Sequence, residues 1–306
     1  MIHIWKDKKR KSADGSRGLK EQRDRRKTQR LILGTAVLIL AAGIAGGFAM
    51  HYAEQQRIQE EARQREEERQ KEQEARKEQE QQLTPEEKKA QEIAAVKEQA
   101  RAEGCPEEII GLIDQNEETL DFVRNYAENK DKPVPETVET STGNGAIPHF
   151  LQWDERWGYS SYGTSTIASS GCGPTCMSMV IVGLTGDTTA TPYRLAKYSE
   201  ENGFIDGENN TYWAFLDSAA RQWGLTCQEG MMDEGTLAAE LQAGHPVICS
   251  MLPGDFTDGG HFIVLTGYEN GQVTVNDPFS ISNTEKTWNY SDISGQIKEM
   301  WTVSRG

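Results

Sequence analysis

Basic residues are nearly absent from the second half of this 306-residue sequence: Ala146 to Gly306 holds seven Lys/Arg against nineteen Asp/Glu, a net of about −12. So acidic a surface repels nucleic acid and anionic lipid, and neither is expected as its partner. Cysteine and histidine are also scarce, five of each. They form no CxxC and no spaced Cys/His set, so the sequence implies no metal site and no cofactor. All the cysteines follow Tyr52, and an odd number leaves at least one thiol unpaired within the monomer. Charge is missing altogether from Leu31–Met50, "LILGTAVLILAAGIAGGFAM". Regular a and d apolar residues are missing from the stretch after it, where Ile58, Ala62 and Ala75 are too few for a coiled-coil seam.

What is present falls into segments. Residues 1–30 form a basic head, with twelve Lys/Arg against four Asp/Glu. The uncharged run follows as a transmembrane helix over 31–52, since twenty residues at ~1.5 Å each reach ~30 Å. A buried core helix is excluded because no neighbouring sequence would cover it. The long basic flank and the full-length span favour an uncleaved anchor over a signal peptide. By the positive-inside rule the head is cytoplasmic and everything after Tyr52 lies outside, at the cell surface. Gly43 and Gly47 form a small-xxx-small pair suited to weak self-association of the span. Residues 53–104 form a charged helical stalk, a solvated spacer whose first ~30 residues would reach ~45 Å. Within it Thr84-Pro85 marks a break and restart. Two short amphipathic helices over 105–130 carry Ile109, Ile110, Leu112 and Ile113, then Leu120, Phe122 and Val123, and need a surface to lie on. Residues 131–146, rich in Pro and polar residues, are a linker.

Only from residue 147 to 306 do aromatics, glycines and β-branched residues reach globular density. "CGPTCMSMVIVGL" reads as an apolar helix from Cys172, with Pro174 near its start and Gly183 near its end. Tyr212–Gly224 and Asp233–Gly244 read as helices closed by glycine. "PVICSML", "HFIVLTGY" and "QVTVNDP" read as strands, so the class is α+β with a mostly antiparallel sheet.

Cys172, between glycines at a helix start, is where backbone N–H groups and the helix dipole favour a thiolate. Cys176, one turn on, faces the apolar run; Cys227 and Cys249 read as core residues, and Cys105 has no acid or His pattern around it. A nucleophilic cysteine needs a base and the base an orienter. His3 and His51 lie at the wrong end, and His149 and His245 are loop candidates whose plainer reading is surface exposure. His261 opens a strand after "DGG" and Asp277 closes the next, so the hairpin turn "ENGQ" returns both to one end of the sheet. A plain two-residue turn would put Asp277 on the opposite face and leave Asn276 as the orienter. An odd loop or a bulge, the arrangement expected here, would bring Asp277 within diagonal reach of His261.

Taken together, "FLQWDERWG", "SSGCGPTCMSM", "GGHFIVLTGY" and "VNDPF", in that order, resemble the C39-like branch of the papain-fold cysteine peptidases over roughly residues 149 to 306. The resemblance implies Cys172 as nucleophile, His261 as base and Asp277 as orienter. It implies Gln152 as side-chain donor to the oxyanion, beside the backbone N–H of Cys172, although Gln152 stands twenty residues before the cysteine rather than a few. A structural hydrogen bond at the domain start is its other reading. Trp153, Trp157, Tyr159 and Tyr162 are candidates to line a groove or to fill a core. No ATP-binding cassette or multi-span unit follows, so the chain is expected to act apart from the exporters that share this module. The expected substrate is a basic or neutral peptide or protein. A transamidase or wall-peptide amidase on the same fold, and a tethered peptide-binding module with an unused triad, are the alternatives.

Overall fold

The computed structural model describes residues 4–139 and 146–306, with no side chains described for residues 4–19 and 75–82. His3, the side chain of Ala75 and residues 140–145 of the expected linker lie outside the described residues. The chain divides into two units, Met1–Thr84 and Pro85–Gly306. The first is helix α1 (Ile4–Gln82), continuous through the uncharged run, which is long and apolar enough to cross a membrane. Along the stalk, Arg57 pairs with Glu54 and Arg63 with Glu60, one turn apart on the helix surface.

Antiparallel pairing throughout organises the second unit. The strands of its six-stranded sheet are β1 (Leu225–Glu229), β2 (Val247–Met251), β3 (His261–Glu269), β4 (Gln272–Asn276), β5 (Thr287–Asn289) and β6 (Ile297–Arg305). They lie in the order β1-β6-β2-β3-β4-β5, so β6 is inserted between β1 and β2. Both faces of the sheet are covered, which is why β2 reads as an unbroken buried run rather than an alternation. Ile248, Phe262, Val264, Trp301 and Val303 face one apolar cluster. Val247, Cys249, Ile263, Leu265 and Met300 face the other, as a period of two demands.

Helix α3 (Cys172–Thr185) packs on the first face with α4 (Pro192–Glu201) and α5 (Ala214–Gln222), and α6 (Glu234–Gln242) packs on the second. Proline at the first helical position and the Thr191 hydroxyl, which accepts from Arg194 N–H, start α4. Asp233 caps α6 by accepting from Gly235 and Thr236 N–H. Helix α3 ends one residue beyond Leu184 and is closed by Gly186, whose φ of 76° is left-handed. The expected terminator, Gly183, lies inside the helix instead, where a side chain would strike Ile147.

Helix α2 (Pro85–Ala102) belongs to this second unit and buries Val96 and Ala100. Beyond it the expected pair of amphipathic helices is a chain of single turns over Glu107–Ile110, Leu112–Gln115, Leu120–Arg124 and Tyr126–Asn129. Gly111 and Asn116 divide it, and Asn116 accepts Glu118 N–H to open the next turn. Ile109, Ile110, Phe122 and Val123 form a third cluster with Ala168, against which Trp153, Tyr159 and Phe279 pack. This helical layer therefore lies directly on the segments that flank Cys172 and follow Asp277.

Candidate active site

Cys172 is the first residue of α3, which follows a short helical turn, Ile167–Ser170, through Gly171. No side chain fits at Gly171: a Cβ would lie 2.5 Å from the Ile167 carbonyl oxygen. Cys172 is half-buried and near enough to His261 to favour the charged form of its ring. All five cysteines are free. Cys176 is fully buried, donates to the Phe262 carbonyl at 3.3 Å, and burial raises its thiol well above the usual range. Burial likewise pushes Cys105 and Cys227 up to about 12.

His261 and Asp277 meet because the hairpin contains both a two-residue turn and a bulge. Asn270 and Gly271 have φ of 53° and 84°, the left-handed pair that a tight hairpin turn needs. From the turn the register runs Glu269↔Gln272 to Gly267↔Thr274, then steps to Leu265↔Val275 and Val264↔Asn276. Thr266 is the extra residue. Continued one place, the stepped register sets Asp277 opposite Ile263, diagonal to His261 and on its side of the strand. His261 Nε2 donates to Asp277 Oδ1 at 2.8 Å, with His261 8% exposed and Asp277 fully buried. The alternative orienter, Asn276, points elsewhere and donates to the carbonyls of Ile147 and Pro148.

Both carboxylate oxygens of Asp277 are held. Phe279 N–H also donates to Oδ1, and Asn283 Nδ2 donates to Oδ2 at 2.9 Å. Its backbone N–H donates to Thr284 Oγ1, and its carbonyl accepts from His149 Nε2 at 2.7 Å. Burial opposes ionisation of Asp277, but the His261 charge and these donors outweigh it and hold the carboxyl below its usual range. For His261 burial disfavours the imidazolium; the Asp277 charge and hydrogen bond, then Cys172, outweigh that and raise it. His149 is half-buried rather than a surface residue, and burial holds it below the usual imidazole range, consistent with a neutral ring donating to Asp277.

Gln152 is buried and borders the same cleft, a hollow of about 630 Å³ that also reaches Ser169, Cys172, Asp255, Asp258 and His261. Its Nε2 donates to the Ala168 carbonyl at 2.7 Å, while its Oε1 is buried without a partner. The four aromatics between Trp153 and Tyr162 do not line this cleft. Trp157 and Tyr162 are fully buried, and Trp153 and Tyr159 pack in the third cluster. Among the described residues no group of three or more His, Cys, Asp or Glu is set to hold a metal. Sequence reasoning missed Asn283, Thr284 and Glu118, which belong to no motif. The one available signal was Ser280, three before Asn283, whose hydroxyl caps the helix Ile281–Glu285.

No curated protein matches the chain. Among solved structures, the peptidase domain of Streptococcus ComA, a bifunctional ABC transporter of a quorum-sensing pathway, is 17% identical. That likeness covers 45% of this chain and 93% of that one, with a TM-score of 0.37. A C39-like peptidase from Bacillus anthracis is 18% identical over 52% and 96%, with a TM-score of 0.34. A double-glycine-motif protease from an AMS/PCAT transporter, in complex with the leader peptide, is 14% identical over 54% and 94%, with a TM-score of 0.32. The profile of the Peptidase_C39 like family matches residues 145–306. That match takes in the cysteine helix, the bulged hairpin and the whole sheet, more than half of the sequence, and the chain belongs to the Peptidase_C39 like family.

Proposed function

We propose that the unit Pro85–Gly306 is a cysteine peptidase working through Cys172, His261 and Asp277, held at a membrane by the span in α1 with the peptidase outside the cytoplasm. The observation that carries this reading is the bond from His261 Nε2 to buried Asp277, which leaves Nδ1 as the ring nitrogen for Cys172. Asp277 favours the imidazolium, so the ring can take the Cys172 thiol proton as the sulfur attacks. The Cys172 sulfur attacks a peptide carbonyl carbon, and the C–N bond breaks as His261 gives its proton to the leaving amine. Water then attacks the thioester, its proton passing to His261, and Cys172 is released. The backbone N–H of Cys172 has no intrahelical acceptor and suits the developing oxyanion. Gln152 Nε2 retains one hydrogen for the same oxygen after its bond to Ala168. Asp255 and Asp258 border the cleft, whose lining holds no Lys or Arg, which supports a basic or neutral peptide as substrate; Asp114, which also lines it, is paired with Lys97.

The test is labelling with a thiol-directed peptide electrophile, followed by peptide mapping. The wild-type chain should be labelled at Cys172; Cys172→Ala should take no label, and Cys176→Ala should keep at least roughly a tenth of the rate, since Cys176 is only a packed residue. A folded wild-type protein that stays unlabelled, or equal loss in both variants, overturns the assignment.

A further inference from the structure

The helical layer stands before the family-matched region, yet two of its side chains grip the loop that carries Asp277. The Glu118 carboxylate accepts two backbone N–H groups, Ile281 to Oε2 at 2.7 Å and Ser282 to Oε1 at 2.9 Å. Asn116 Nδ2 donates to the Phe279 carbonyl at 2.6 Å and to Glu118 at 3.2 Å, so the two residues form one bracket. Trp153 Nε1 donates to the same carbonyl at 2.8 Å. What this bracket fixes is the short helix Ile281–Glu285, on which Asn283 and Thr284 hold Asp277 from both sides. Phe279 N–H, inside the gripped loop, holds Oδ1. From Glu118 to His261 the path is therefore continuous: a carboxylate, two amides, one turn of helix, Asn283, Asp277, imidazole.

We propose that Glu118 is a positioning residue for the active site, fixing Asp277 against His261 through the 279–284 loop. The inference rests on the triad reading above. Two charge-assisted bonds to adjacent amides set both the height and the rotation of that helix, which a single bond would not. Asp277 lies at a strand end and in a loop, where nothing in the sheet ladder would otherwise hold it, since the pairing of β3 with β4 stops at Asn276. Burial opposes the Glu118 charge, but the two amides, Asn116 and the Ser282 hydroxyl outweigh it, so the carboxyl stays below its usual range and charged at neutral pH.

A cap that merely stabilised its loop would lower melting temperature without touching thiol reactivity, so the test reads Cys172 itself. The probe is iodoacetamide at pH 6 on the full chain in detergent, with the alkylated cysteine identified by peptide mapping. Asp277→Asn should slow Cys172 alkylation about tenfold, because His261 loses the charge that makes it a base for the thiol proton. Glu118→Ala should slow it about fivefold, and the double variant should match Asp277→Asn within about twofold, because both act through one group. If Asp277→Asn leaves the rate unchanged, the triad reading fails and the proposal with it. If Asp277→Asn is slow but Glu118→Ala is not, or the two effects multiply, the proposal is overturned and the triad stands. Should Glu118→Ala fail to fold, Glu118→Gln, which keeps one acceptor, enters the same cycle with an expected loss of about threefold.

Discussion

Two neighbouring residues, Asn276 and Asp277, take different partners, the Ile147 and Pro148 carbonyls for one and His261 for the other, because adjacent strand positions point to opposite faces. Asp277→Asn keeps the shape but removes the charge beside His261, and turnover of any cleavable peptide should fall by about 10²–10⁴ with the fold intact. Asn276→Ala frees two carbonyls of the segment entering the domain and should cost about 1–3 kcal/mol of stability, with turnover little changed. A reversal of these outcomes would make Asn276 the orienter. The pH dependence follows from the same pair. Asp277 is depressed, so its stabilisation stands above the ordinary carboxylate pKa and is lost as pH falls through the depressed value. His261 is raised, so its share stands below the ordinary imidazole pKa and is lost as pH rises through the raised value. The melting-temperature gap between wild type and Asp277→Asn should accordingly be widest at about pH 4–6.5 and close on either side.

At the scale of elements, the start of α3 depends on Gly171, where an added methyl would press on both the backbone carbonyl and the β-branched side chain of Ile167. Gly171→Ala should cut peptide-electrophile labelling at least about tenfold by displacing Cys172, with only a modest fall in melting temperature. Retained labelling would mean the turn has slack. This helix and the His261 hairpin were legible in the sequence because each pairs an unbroken apolar run with glycine punctuation. The bulge was legible only as a requirement: Thr266 does not differ in kind from its neighbours, and only the chemistry of His261 and Asp277 called for an extra residue. Strands β1 and β6 were not legible. In "LTCQE" only Leu225 is buried, and in "IKEMWTVSR" charged Lys298 and Glu299 interrupt a strand that is central. Lys298 sits over the Trp213 ring, a pairing across more than eighty residues that no local pattern announces. Helix α4 did carry its signal, the Thr191 cap with Pro192 behind it. The bracket on Asp277 carried none, since Glu118 and Ile281 are made neighbours by the fold alone.

For the whole molecule, the basic excess before Leu31 bears on orientation. An impermeant protease added to intact cells should remove Pro85–Gly306, and protection of that unit until lysis would place it in the cytoplasm instead. The compact unit begins at Pro85, whereas the sequence reads as a stalk to residue 104. Helix α2 is heavily charged, like what precedes it, and betrays its burial only through Ile93, Val96 and Ala100. The order of strands has a further consequence for biogenesis. The β6 strand is synthesised after the other five, yet it fills the gap between β1 and β2. A nascent chain that has already produced Cys172, His261 and Asp277 still has β1 unpaired and β2 open along one edge. The closing of the sheet waits for Arg305 to emerge, so a partly made chain holds Cys172, His261 and Asp277 before it has the scaffold that aligns them.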